Sequence, residues 1–137
     1  MEAMEIPFVK QVGIEKNAEG YLKLEPLAHV KNHINTIHAS AQFTLAETQS
    51  GLYLRELFPN YKGKIIPLLR SSSVKFKAPA TSSLWAKASL SGEEQKKFLT
   101  QFEKKGRAIV TVDVELRDEE NIVTMSGEFV WFIQRVQ

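Results

Sequence analysis

Cysteine is absent from the 137 residues. That excludes disulfide scaffolds, thiol nucleophiles, thioredoxin-type chemistry and zinc–cysteine sites. Histidine is scarce: His29, His33 and His38 fall within ten residues, so a metal site drawn from distant histidines is not expected. No apolar run reaches the roughly 18 residues that span a bilayer. The opening Met1-Glu-Ala-Met-Glu-Ile-Pro carries two acids and no basic segment, unlike a secretory signal. A cytoplasmic protein without membrane contact is the expectation. The net charge is only +2, too small to mark a nucleic-acid binder. Phe76 and Trp85 stand isolated among the basic residues rather than interleaved with them. Internal repeats and low-complexity segments are missing too.

What is present is ordinary in bulk. Hydrophobic residues at 43% and charged residues at 25% describe a folded chain, and the length fits a single domain over 1–137, with 1–19 as an N-terminal extension. Charge is unevenly placed. From Leu57 to Gly92 there are six cations (Lys62, Lys64, Arg70, Lys75, Lys77, Lys87) and no acid. Such a run is either a solvated basic edge or a landing surface for an anionic ligand. A second acid-free stretch begins at Pro26 and ends at Glu47.

Residues 20–28 alternate apolar and polar, the period of a half-buried strand. Residues 29–37, with Asn32 and Asn35, read as a loop. From Ala39 to Phe58 good helix formers dominate, and Pro59 stops them. That helix is roughly 30 Å long and apolar on most sides, so it belongs in a core. Strand signals follow at 64–69, 73–77 and 84–90. Ser91, with acids behind it, caps a short amphipathic helix that Gly106 ends. Residues 107–117 and 122–136 form a hairpin around Asp118–Asn121, with Phe129, Trp131 and Ile133 on one face. The expected class is α+β: an antiparallel sheet of about five to six strands wrapped around one long central helix.

One constellation carries chemistry. Asn32-x-x-Asn35-x-x-His38-Ala39-Ser40 leads into the long helix, and Glu47 follows nine residues after His38. This pattern resembles the hot-dog-fold acyl-CoA thioesterases, of the phenylacetyl-CoA and 4-hydroxybenzoyl-CoA thioesterase kind. In them an Asn-x-x-(Gly/Asn)-x-x-His-(Gly/Ala) loop enters the central helix and an acid follows at that distance. Val74–Pro79 and Leu84–Ser89 look like the strand pair that comes after the helix in that family. The resemblance covers roughly residues 20 to 135.

The resemblance implies hydrolysis of an acyl-CoA or acyl-carrier thioester, with no metal and no cofactor beyond the coenzyme A of the substrate. Glu47 would be nucleophile or general base, and the Ala39 N–H would hold the thioester oxygen. Asn32 would help position the carbonyl or water, and His38 would orient the loop or contact the thioester. Asn35, Ser40, Arg70, Lys75 and Lys77 would meet the rest of the substrate, the three cations meeting the nucleotide phosphates. The sequence departs from the family in two places: Ala39-Ser40 replaces a glycine pair, and Gly51 stands where many members carry Ser or Thr.

Geometry adds a constraint. Ala39 and Glu47 are eight residues apart, about 12 Å along a helix, so one chain cannot present both to one carbonyl. If they cooperate, Glu47 comes from a second subunit across a twofold axis. The expectation is a homodimer, or a dimer of dimers.

Plainer readings stand beside these. Glu47 could be a solvated helix residue, although Phe43, Gly51 and Leu54 on its face make a purposeless charge costly. His38 could simply tie down its loop, and Asn32 and Asn35 could be turn residues, Asn35 in the left-handed conformation. Ser71–Ser73 lacks the G-x-S-x-G elbow of a serine nucleophile. Two rival functions remain on the same scaffold: a non-catalytic acyl-CoA-binding or regulatory domain, and an acyl dehydratase.

Overall fold

A computed structural model describes residues 2–136. Its centre is α2, Ala39–Leu57, which begins one residue after His38 and ends before Pro59, whose ring cannot continue a helix. Around it curves a single antiparallel sheet in the order β1-β2-β4-β5-β6-β3. The strands are β1 (Glu15–Lys16), β2 (Leu22–Leu24), β3 (Ile65–Phe76), β4 (Leu84–Ser89), β5 (Arg107–Arg117) and β6 (Val123–Arg135). This is the hot-dog arrangement.

The core lies between the helix and the concave face of the sheet. Alternation along β5 sends Ala108, Val110, Val112, Val114 and Leu116 inward, and β6 contributes Met125, Phe129, Trp131 and Ile133. From α2, Leu45 and Ala46 are wholly buried against them. The helix is less greasy inside than its composition promised, because Gln42, Thr44, Thr48, Gln49 and Ser50 are buried as well. Each of these polar side chains has a hydrogen-bond partner, as burial demands. Gln49 Oε1 accepts the Leu22 N–H at 3.0 Å and pins β2 to the helix.

A second helix, α3 (Gly92–Lys105), starts where Ser91 Oγ accepts the Glu94 N–H at 3.1 Å and stops at Gly106, whose φ is 70°. Its Phe98 and Phe102 stack at 5.5 Å and meet Phe58 and Tyr61, sealing the C-terminal end of α2.

One local reading changes. Segments 64–69 and 73–77, expected as separate strands, are one strand, β3, with a bulge between Leu69 and Ser71. Arg70 is the extra residue, and a bulge switches which parity of side chain faces inward. Leu69 opposes Trp131 on the inner face, whereas beyond the bulge Ser72, Val74 and Phe76 oppose Phe129, Gly127 and Met125. Gly127 is matched to this crossing: a Cβ there would fall 2.6 Å from Val74 Cγ1. The N-terminal extension has structure of its own from Ala3 onward. It carries a turn at Ala3–Glu5, α1 at Pro7–Val12, and β1, which pairs with β2.

Candidate active site

The loop before α2 is built by its asparagines. Asn32 Oδ1 accepts the N–H groups of Ile34 and Thr36 at 3.1 and 3.0 Å, and its Nδ2 donates to Thr36 Oγ1 at 2.9 Å. Its amide is thus engaged in the turn itself. Asn35 has φ 64°, the left-handed conformation that asparagine tolerates better than most residues. A bridge between Lys31 and Ile37 closes the loop.

His38 caps the helix. Its Nδ1 accepts the Ser40 N–H at 2.9 Å, and its carbonyl accepts those of Ala41 and Gln42 at 3.0 Å. A backbone N–H only donates, so Nδ1 is the unprotonated nitrogen of this ring. The remaining first-turn donor, the Ala39 N–H, has no hydrogen-bond partner among the described residues. An unpaired N–H at the positive end of a helix suits an oxyanion.

Ala39 lines a cavity of about 320 Å³ together with Asn32, Gln42, Phe76, Lys77 and Pro79. Gln42 Oε1 accepts the Thr124 hydroxyl at 3.1 Å, and Nε2 reaches the Ile37 carbonyl at 3.4 Å, so this buried amide fastens loop, helix and β6 together. Sequence reading passed over Gln42. Its signal was a pair of glutamines, 42 and 49, seven residues apart on one stripe of an otherwise apolar helix.

Glu47 lies elsewhere, in a second cavity of about 330 Å³ lined also by Gly51, Arg55, Pro67, Leu69 and Trp131. The carboxylate is half-buried, and burial pushes its pKa above the usual carboxylate range; a hydrogen bond from Thr48 opposes this. That bond is long, 3.5 Å, because the Thr48 hydroxyl already donates to the Thr44 carbonyl at 2.6 Å. A carboxylate that is desolvated yet poorly hydrogen-bonded is a stronger base than one in water.

The remaining expected site residues scatter. Ser40 and His38 face a further cavity with Phe8 and His29. His29 Nε2 meets the Val12 carbonyl at 2.9 Å, so it anchors α1. Lys77 reaches the Ala39 cavity. Lys75 and Lys77 together line a groove on the outer face of the sheet with Asp113, Glu115 and Glu128, and Arg70 is exposed in the bulge. Lys75 and Lys77 are therefore neighbours, and Arg70 stands apart from them. Among the described residues no group of three or more His, Asp or Glu is placed to hold a metal ion. Among the described residues no helix is long and apolar enough to cross a membrane.

Solved structures share this architecture. A Pseudomonas aeruginosa protein described as of unknown function and a probable thioesterase superposes with a TM-score of 0.80 at 24% identity, covering 98% of this chain and 91% of its own. A thioesterase from Haemophilus influenzae gives 0.76 at 17% identity, with 96% and 85% covered. A Bacillus halodurans protein solved with CoA gives 0.70 at 18% identity, with 92% and 74% covered. At these identities the likeness establishes the fold. No curated protein matches the sequence. Residues 5–133 match the family described as a domain of unknown function, DUF4442, and the chain, a hot-dog protein by its sheet and helix, belongs to that family.

Proposed function

We propose that the protein is a thioesterase that hydrolyses acyl-CoA, with each active site shared between two copies of the chain. The observation that carries the reading is the desolvated Glu47 carboxylate in an apolar cleft, the setting that tunes a carboxylate toward general-base work. Glu47 takes a proton from a water molecule as that water attacks the thioester carbonyl. The partner's free helix-start amide holds the oxygen that becomes negative, and the thiolate departs with a proton. The Bacillus halodurans relative solved with CoA supports a CoA-type leaving group.

The two-copy site rests on a coincidence of midpoints. Ala39 and Glu47 line different cavities of one chain, and Phe43 lies four residues from each. The Phe43 ring meets that of Phe129, which pairs with Ser72 on β3. Ser72 is in turn four residues from Leu68 at the Glu47 cavity and from Phe76 at the Ala39 cavity. One twofold axis through these midpoints would set each Glu47 against the partner's Ala39 and pair two β3 edges antiparallel. β3 is a twelve-residue edge strand with Ile66 47% and Leu68 54% exposed. An edge so long and apolar invites pairing.

The test is thiol release from a panel of acyl-CoA thioesters by wild type and Glu47→Ala. Loss of roughly 10²-fold or more in kcat is expected when a general base is removed. A loss below tenfold overturns the role of Glu47. Binding of acyl-CoA without thiol release would make the chain a binding domain instead.

A further inference from the structure

The Glu47 cavity has a wall that hydrolysis itself does not use. Glu47, Gly51 and Arg55 succeed one another along α2 at intervals of four residues, and all three line it. At Gly51 there is a gap in the helix surface, and the benzene edge of Trp131 fills it: a Cβ at 51 would lie 3.3 Å from two ring carbons. On its pyrrole side, Trp131 Nε1 donates to Ser50 Oγ at 2.9 Å, and that hydroxyl donates to the Glu47 carbonyl at 2.7 Å. The indole, 7% exposed, is held along two edges by the same turn of helix that presents the carboxylate. A ring fixed in this way is a rigid boundary, since buried indoles keep the partner of their N–H.

We infer that Trp131, seated in the Gly51 gap, selects the acyl group, admitting a medium-length aliphatic chain laid along α2 from Glu47 toward Arg55. The inference rests on the thioesterase reading above and names the substrate class of that same site. With the carbonyl at Glu47, the indole closes the route between helix and β6 into the core. The acyl chain therefore runs over Gly51, flanked by Leu52 and Leu69. From Glu47 to Arg55 is about 12 Å of helix, and the guanidinium ends the apolar path, because an alkyl terminus gains nothing by desolvating a charge. Longer chains leave the cavity.

The experiment measures kcat/KM for straight-chain acyl-CoA thioesters from acetyl to palmitoyl, with wild type, Trp131→Phe and Gly51→Ala, each checked by thermal melting. Wild type is expected to prefer intermediate lengths. Trp131→Phe lowers the wall and moves the optimum to longer chains, raising the long-to-medium ratio by roughly tenfold, the scale of one or two methylenes in an apolar pocket. Gly51→Ala sets a methyl 3.3 Å from the indole, so the ring must shift by a few tenths of an ångström toward the cavity, which narrows and moves the optimum the other way. It adds only one carbon, so it keeps the test decisive if Trp131→Phe fails to fold. An active wild type whose folded variants keep its length profile overturns this inference alone, as does a best substrate ending in a carboxylate. A wild type that releases thiol from none of the panel overturns the thioesterase reading and this inference with it.

Discussion

The rings of Phe43 and Phe129 meet with centroids 5.4 Å apart and planes tilted by 56°, joining the middle of the helix section between Ala39 and Glu47 to the strand register at Ser72. If a twofold axis passes here, Ser72 faces its own copy. Directly opposed residues of antiparallel strands lie about 4.5–5.5 Å apart at Cα, within the range a disulfide bridges. The chain has no cysteine of its own, so Ser72→Cys is a clean probe. Mild oxidation is expected to convert most of it to a covalent dimer on non-reducing gels, while Lys64→Cys, eight residues away, stays monomeric. A dimer in solution that Ser72→Cys fails to lock would place the axis elsewhere.

Glu47 makes stability depend on pH in a definite direction. Its folded pKa is raised by burial, with Thr48 opposing weakly. The fold therefore tolerates the protonated carboxyl and penalises the ionised one. The contribution of Glu47 is fully present below the usual carboxylate range and is lost as pH rises through the raised folded value. Glu47→Gln, neutral at every pH, escapes that loss. It should melt above wild type at pH 8, and the gap should shrink toward pH 4. A gap independent of pH would mean that the carboxylate is not desolvated.

Asn35 tests the loop that positions the free Ala39 amide. Its φ of 64° costs an ordinary L-residue about 1–2 kcal/mol. Asn35→Ala is expected to lower stability by about 1 kcal/mol, whereas Asn35→Gly leaves it nearly unchanged. Urea denaturation of the two variants checks the difference. Equal loss in both would show that the asparagine side chain, rather than its backbone, matters.

The long helix, the second helix with its Ser91 cap and Gly106 stop, and the β5–β6 hairpin were all legible, because each rests on local signals: capping residues, proline, and clean alternation. The candidate site was legible only at its ends. Glu47 stood out as the first acid after a long acid-free stretch, and His38 and Ala39 as the entrance to a helix. Asn32 was expected beside the substrate; it lines the Ala39 cavity while its amide also holds the turn, a double placement that spacing alone does not reveal. Trp131 and Gly51 are eighty residues apart, and no one-dimensional pattern announces that one side chain fills the gap left by the other. The basic run through Arg70, Lys75 and Lys77 was legible as a run but not as a layout: Arg70 sits at an irregularity visible only in the register, and Lys75 and Lys77 lie beyond it.

That irregularity, the single added residue at Arg70, has an evolutionary consequence. Leu69 and Phe76 are seven positions apart, an odd interval that a regular ribbon would split between opposite sides, yet both oppose inward residues of β6. Removing one residue near position 70 would invert everything downstream on this ribbon at once, exchanging Lys75 for Val74 on the concave side. Insertions and deletions here act as six simultaneous replacements, over residues 71–76, so length between Leu69 and Phe76 should vary far less among descendants of this chain than the identity of the serines that fill it.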